Sequence, residues 1–369
     1  MRILLLGKFP PAQGGISAKT YWLARTLAAT GISFDIVTIA PPSYRTAAPA
    51  TAPPDLRQRI CEAEASPWFL PGGDLCTEHV ITEALVLAAE RAPDAIEANY
   101  LAPFGIAALV AARLLGVPLI IRHAGSDIAK LLDWPPARGA LRALLGAANL
   151  VLTTPDARPR LEDLTPSRRL LALPRYAPDP AAFAWRPPIS SRLLLIAGKL
   201  NYHWRLKGLD VLLEALALRP EWRVLSVVDG CGREDFAKEV DRLGLAPRFA
   251  WRPLAPPDAM PDLIGEASAV WAVARADSVP DFSNLVWEAA AIGRPCLVSP
   301  AAASHPDARP LLGWPGLVPM EPDDPAAVAA ALDRAGAASV PRPDGLEERF
   351  AGYVESNRAA YLSIGGGRP

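Results

Sequence analysis

The chain has 369 residues, 51% apolar and 21% charged, with a formal net charge of -1. Such a length exceeds one ordinary core and suits two domains. The near-balance of charge argues against a nucleic-acid binder, and the scattered 40 prolines leave no long low-complexity tract.

Four cysteines, Cys61, Cys76, Cys231 and Cys296, form no CxxC pair and join no histidine at zinc spacing. They are too sparse for a disulfide framework, so a reduced cytoplasmic setting and no metal site are expected. The opening Met1-Arg2-Ile3-Leu4-Leu5-Leu6 is broken by Gly7-Lys8-Phe9-Pro10-Pro11, too soon for a leader's apolar core. A first buried strand explains it better. No uncharged apolar run reaches ~18 residues, so no membrane-spanning helix is expected.

In chain order, Ile3–Leu6 reads as a strand, followed by a loop with Gly14-Gly15 and a helix over Ser17–Ala29 closed by Gly31. Strands are expected at Phe34–Ile39, from Ala95, and at Pro118–Ile121 and Leu150–Thr154. Helices are expected at Ile81–Arg91 and Phe104–Leu115. Leu173–Ser191 carries five prolines and reads as an interdomain linker. The alternation then restarts. Strands are expected at Arg192–Ala197, Trp222–Val228, Ala269–Ala274 and Pro295–Val298. Helices are expected at Leu209–Ala217, Glu234–Leu243, Asn284–Ile292, Pro325–Arg334 and Leu346–Tyr361. Strand–helix alternation implies an α/β fold, two doubly wound Rossmann-like halves facing a central cleft. The domains are set at 1–175 and 190–345, with 346–369 a C-terminal helix and tail free to cross back to the first half.

In such sheets ligands bind beyond the carboxyl ends of the strands, where four loops carry chemistry. Lys8–Ile16 offers two glycines before a helix start, which suits an anion, but it is neither GxGxxG nor a P-loop. It reads equally well as a surface loop. Arg122-His123-Ala124-Gly125-Ser126-Asp127 supplies a cation, an imidazole and a carboxylate that could hold sugar hydroxyls or move a proton. Gly198–Gly208 places Lys199, Arg205 and Lys207 where a diphosphate could be neutralised. The blander alternative is a solvated basic loop. Asp277–Ala290 runs a polar turn into a helix, whose free N–H groups near Phe282, Ser283 and Asn284 could meet a phosphate or sugar oxygen. Glu288 could take a ribose diol. The blander alternative there is a helix cap and a dipole-matched carboxylate.

Taken in this order the loops resemble the retaining GT-B glycosyltransferases of family 4, also called group 1. The segment Asp281-Phe282-Ser283-Asn284-Leu285-Val286-Trp287-Glu288-Ala289-Ala290-Ala291-Ile292-Gly293-Arg294-Pro295 carries the resemblance most specifically. Gly316–Pro319 with Asp323-Asp324-Pro325, and the turn Val228–Gly232, add to it. The resemblance implies a hexosyltransferase-like enzyme with a nucleotide diphosphate sugar as donor, retention of anomeric configuration, and no cofactor or metal. The C-terminal half would bind the donor and the N-terminal half the acceptor, be it a glycan, a lipid-linked molecule or a small molecule. Glu288 would hold the ribose, and Arg205 and Lys207, or Lys199, the diphosphate. Residues 281–284 would touch the donor sugar, Gly15 would approach the phosphates, and His123 would sit near the reacting sugar. His123, Asp281 and Lys207 are the candidates for catalysis, with Arg122 and Asp127 as acceptor or sugar contacts. Where the family has the first of two glutamates, this chain has Pro280, with Asp277 and Asp281 as the carboxylates nearby.

Two other readings stay open. A catalytically silent nucleotide-sugar or glycan-binding protein on the same fold would accommodate Pro280. A nucleotide-sugar epimerase or a sugar phosphorylase would share the architecture. Trp68-Phe69-Leu70 could touch an acceptor or a membrane surface peripherally, but a core position is the simpler reading.

Overall fold

A computed structural model describes residues 1–40, 45–62, 74–123, 126–187, 189, 192–201, 203–275, 282–337 and 340–365. The chain divides into two compact units, Met1–Tyr176 with Ala351–Pro369, and Ala177–Phe350. Trp68–Leu70 lie outside the described residues, as do Asp277, Pro280 and Asp281.

The first unit is built on a seven-stranded sheet, all of whose pairings are parallel. In chain order its strands are β1 (Arg2–Gly7), β2 (Ser33–Ile39), β3 (Arg57–Cys61), β4 (Ala95–Asn99), β5 (Leu119–Arg122), β6 (Leu150–Thr153) and β7 (Leu170–Ala172). Their spatial order is β3-β2-β1-β4-β5-β6-β7. The helices are α1 (Gly15–Ala28), α2 (Asp74–Glu90), α3 (Phe104–Leu115), α4 (Ser126–Leu131), α5 (Pro135–Ala147) and α6 (Arg158–Leu161). Leu4 and Leu6 of β1 share one core with Val80, Ala84, Ala107, Ala111 and Leu144 from α2, α3 and α5. Side chains alternate across a strand, so Ile3 and Leu5 meet the opposite helical layer. Both sets are essentially fully buried, which is why β1 reads as a continuous apolar run rather than an alternating one.

The second unit repeats the plan with β8 (Leu193–Lys199), β9 (Arg223–Asp229), β10 (Phe249–Arg252), β11 (Ala269–Trp271), β12 (Cys296–Val298) and β13 (Leu317–Pro319). The order is β10-β9-β8-β11-β12-β13, again parallel throughout. Its helices are α7 (Leu209–Ala217), α8 (Arg233–Arg242), α9 (Met260–Glu266), α10 (Asn284–Ile292), α11 (Pro300–Ala303) and α12 (Pro325–Ala337), while α13 (Leu346–Gly365) starts in this unit and belongs to the first from Ala351 on. Leu194, Trp204, Leu212, Trp222, Phe236 and Leu332 anchor this core.

Both sheets reverse their winding once, between β1 and β4 and between β8 and β11. In doubly wound sheets this switch point opens a crevice at the strands' carboxyl ends, where ligands settle. The loops leaving β1, β4, β8 and β11 are therefore where each unit's chemistry should be sought.

Candidate functional site

In the second unit the crevice is shaped by the loop leaving β8. Leu200 N donates to Asp229 O at 2.8 Å and Gly232 N to Leu200 O at 3.1 Å, so this loop lies directly on the turn after β9. A Cβ on Gly230 would overlap the Leu200 carbonyl, and one on Gly232 the Asn201 carbonyl. Only glycine permits that approach. A tight 3-10 turn, Trp204–Lys207, follows and ends on Gly208 in the left-handed conformation, φ 63°. Trp204 is fully buried and its indole N–H donates to Asp235 Oδ2 at 2.7 Å.

The three predicted cations part company here. Arg205 lies over the Trp204 ring, 4.2 Å from its centroid, and pairs with Asp235 at 3.1 Å. It is thus engaged on α8. Lys207 turns the other way, its Nζ donating to Lys199 O at 2.6 Å. Burial pushes both amines down to about 8; the neighbouring Lys207 charge lowers Lys199 further, against an opposing effect of Cys231. The Lys207 ammonium thus rests on the Lys199 backbone, and its charge is felt by the Lys199 amine; an anion would relieve both partly desolvated amines.

The loop is clamped from β11. Trp271 Nε1 donates to Lys207 O at 2.8 Å and Arg275 N to Leu206 O at 2.8 Å. The Arg275 guanidinium also meets Arg205 O and Asp210 at 3.1 Å, and Asp323 at 2.6 Å. The chain leaving β11 therefore runs against the chain leaving β8 before it reaches α10. Neither Trp271 nor Arg275 was singled out from sequence, because no motif marks them and their partners are distant in the chain.

α10 begins where the sequence places it. Ser283 caps it, its Oγ accepting from Leu285 N at 3.3 Å, and Gly293 ends it in the left-handed conformation. Phe282 is buried and its ring stacks on His305, centroids 5.8 Å apart at 17°. His305, another residue the sequence did not flag, also caps the next 3-10 turn, its Nδ1 accepting from Asp307 N at 3.2 Å. Every residue from Leu285 to Ile292 is buried, Glu288 among them at 6% exposure. A carboxylate inside such a helix has to be met by a hydrogen-bonding or charged partner. Glu288, Asn284 and the lysine pair all belong to segments leaving the carboxyl edge of this sheet, on either side of its switch point.

In the first unit the residues separate similarly. His123 is partly buried, with Nε2 2.7 Å from Thr153 Oγ1. Burial, followed by the charges of Lys19 and Arg122, pushes its pKa down to about 3, against Asp156. The ring is therefore neutral across the working pH range and serves as a hydrogen-bonding group rather than a cation. Arg122 does not accompany it. The guanidinium is buried, with Nε donating to Glu97 at 2.7 Å and Nη2 to Asn357 at 2.9 Å and Tyr361 at 3.2 Å. Its employment is to fix α13 onto the sheet, not to present a cation in the loop. Asp127 is buried too, accepting from Leu101 N at 2.9 Å and Ile128 N at 2.8 Å. It braces the segment leaving β4. Tyr100, in that segment, holds φ 121°, a strained value for a residue with a side chain, and Lys8 sits 4.6 Å over its ring. Gly15 is exposed as the first residue of α1, at the same crevice.

Comparison with known proteins gives this arrangement its family. Residues 14–175 match glycosyl transferase 4-like domains and residues 191–336 match glycosyl transferases group 1. The chain belongs to the GT-B glycosyltransferases. No curated protein matches this glycosyltransferase by sequence. Among solved structures it is similar to Anabaena Alr3699/HepE in complex with UDP and glucose, at 16% identity over 99% of this chain and 100% of that one, TM-score 0.66. It is also similar to sucrose-phosphate synthase from Thermosynechococcus elongatus, at 17% identity over 98% and 97%, TM-score 0.63. A third is WaaG, a glycosyltransferase involved in lipopolysaccharide biosynthesis, at 15% identity over 100% of both chains, TM-score 0.61. At these identities the likeness concerns the fold. Among the described residues no group of His, Cys, Asp or Glu side chains is placed to hold a metal ion, and no helix is long and apolar enough to cross a membrane.

Proposed function

We propose that this glycosyltransferase takes a hexose-like sugar from a nucleotide diphosphate donor and passes it to an acceptor with retention of anomeric configuration. The observation that carries the donor is the lysine pair. The Lys207 ammonium is held on the Lys199 backbone carbonyl, and both amines are partly desolvated, at the switch point of the second sheet. A diphosphate bound there restores their full charge, and the same charge stabilises the leaving diphosphate as the glycosidic bond breaks. Glu288 accepts hydrogen bonds from the ribose, and the N-terminus of α10, with Asn284, faces the donor sugar. Arg205 forms an exposed pair with Asp235, so the assignment is carried by the lysines. The complex of Anabaena Alr3699/HepE with UDP and glucose supports a donor of this class.

The first unit takes the acceptor, and neutral His123 orients a sugar hydroxyl instead of shuttling a proton as imidazolium. Side-chain cations carry the charge that a metal ion would otherwise meet. All four cysteines are free thiols, in keeping with a cytoplasmic setting.

The test is proton NMR of a panel of nucleotide diphosphate sugars incubated with the enzyme and candidate acceptors. The proposal expects nucleotide release coupled to a new glycoside with the donor's anomeric configuration. An inverted product overturns retention. A changed donor sugar without transfer identifies an epimerase, and binding without any turnover identifies a silent binding protein, for which Pro280 is the first residue to replace.

A further inference from the structure

The turn that carries Lys207 is fastened by one neighbouring segment. Three consecutive carbonyls of Trp204–Lys207 accept hydrogen bonds from the chain leaving β11: Arg205 O from Arg275 Nη1 at 3.1 Å, Leu206 O from Arg275 N at 2.8 Å and Lys207 O from Trp271 Nε1 at 2.8 Å. The last carbonyls of a short helical turn need partners outside it, so these bonds settle where the turn lies. Trp271 is buried, and a Cβ on Gly208 would already touch its ring.

Arg275 reaches further than the turn. Its Nη1 also meets Asp210 Oδ2 at 3.1 Å, in the first turn of α7, and its Nε lies 2.6 Å from Asp323, on the passage from β13 into α12. One side chain therefore joins the exit of β8, the start of α7 and the approach to α12. Asp323 belongs to the passage Asp323-Asp324-Pro325, which the sequence marks and the donor site leaves unused. Two carboxylates take up the Arg275 charge, so its contribution is one of shape. That matters for a lysine, whose stem is flexible. The Lys207 amine reaches Lys199 O at 2.6 Å from a backbone that Trp271 and Arg275 hold in place.

We infer that Arg275 is a positioning residue of the donor site, which together with Trp271 fixes the Lys207 backbone and so the point at which the Lys207 amine meets a diphosphate. It acts through Lys207 and not on the donor. The inference rests on the proposed donor site.

Three variants test it: Arg275→Met, which removes the fork; Arg275→Lys, which keeps the charge but cannot bridge the same partners; and Trp271→Phe, which keeps a ring and removes one N–H. Calorimetric titration at pH 7 with UDP, GDP and ADP, and with the matching nucleosides, gives the affinities. All three variants should bind the nucleoside diphosphate that wild type selects about three- to tenfold more weakly, with nucleoside affinity within about twofold of wild type. Amide hydrogen exchange over 204–208 in the ligand-free protein should quicken in each. Wild-type diphosphate affinity in Arg275→Lys would show that charge alone matters and would overturn the inference. Equal losses for diphosphate and nucleoside, or a lower melting temperature with both affinities unchanged, would show a merely structural role and overturn it too. So would unchanged exchange over 204–208 where wild type binds a diphosphate. If wild type binds none of the three diphosphates, the donor reading itself fails and the inference falls with it, even where exchange quickens.

Discussion

Replacing Arg122 with Met separates a structural from a substrate role for the most deeply placed cation of the first unit. Its guanidinium pairs with Glu97 at 2.7 Å, and Glu97 is fully buried. Removing the cation leaves an uncompensated carboxylate in the core, which costs about 3–5 kcal/mol. Asn357 and Tyr361 lose a donor in the same step, loosening the hold of α13. For a unit of this size each kcal/mol shifts the midpoint by roughly 2–4 °C. Differential scanning calorimetry should therefore show the first unit melting roughly 6–20 °C lower. The double variant Glu97→Gln/Arg122→Met should recover much of that loss, because neither charge then stays buried alone. The KM for donor should stay near the wild-type value in any variant that folds. A loss under about 1 kcal/mol together with a tenfold rise in a sugar KM would refute the structural assignment and make Arg122 a substrate contact.

The lysine pair gives a pH signature. Burial holds Lys199 and Lys207 down to about 8 in the unliganded protein, and in the proposed donor site only their charged forms would bind diphosphate. Nucleotide affinity should be full below about pH 7 and fall as pH rises through 8, well before the ordinary lysine range; calorimetric titration from pH 6 to 9.5 checks this. The ligand-free protein should move the opposite way: the desolvation penalty on the charged amines is complete below pH 8 and is relieved between 8 and 10.5, as denaturation midpoints would report. Because His123 is held neutral down to about pH 3, the pH–rate profile should show no inflection near 6.5 that vanishes in His123→Gln. Such an inflection would restore a proton-shuttling role. Gly230→Ala should destabilise by at least about 2 kcal/mol and weaken nucleotide binding, since its Cβ would collide with the Leu200 carbonyl that shapes the β8 loop. Turnover should survive EDTA if, as proposed, lysines meet the diphosphate charge.

How much of this was legible in the sequence depended on whether the cause was local. α10 is found over Asn284–Ile292 as read, because a serine cap, an apolar run and Gly293 are all local signals. The parallel strands of both switch points were visible as short apolar runs. β3 was not: Arg57–Cys61 is a polar edge strand with most of its residues outside the core. α5 also went unread; its buried stripe is only Leu141, Leu144 and Leu145 amid alanines, prolines and arginines. Side-chain employment was the least legible. Two of the three partners of Arg122 lie 235 and 239 residues away, so the motif Arg122–Asp127 looked like one chemical cluster although its members face different tasks. Arg205 and Lys207 were both read as diphosphate ligands, and their different contacts, with Asp235 and with Lys199 O, were not visible in the sequence.

The central claim is that the second unit holds a nucleotide diphosphate through Lys199, Lys207 and Glu288. The most direct measurement is calorimetric titration of a panel of nucleoside diphosphates into wild type, Lys207→Ala and Glu288→Ala at pH 7. The account predicts that one nucleotide binds wild type selectively. Lys207→Ala should lose affinity for diphosphate but little for the bare nucleoside, and Glu288→Ala should weaken both, each by about tenfold or more. No binding to wild type, or variants that bind as well as wild type does, would contradict it.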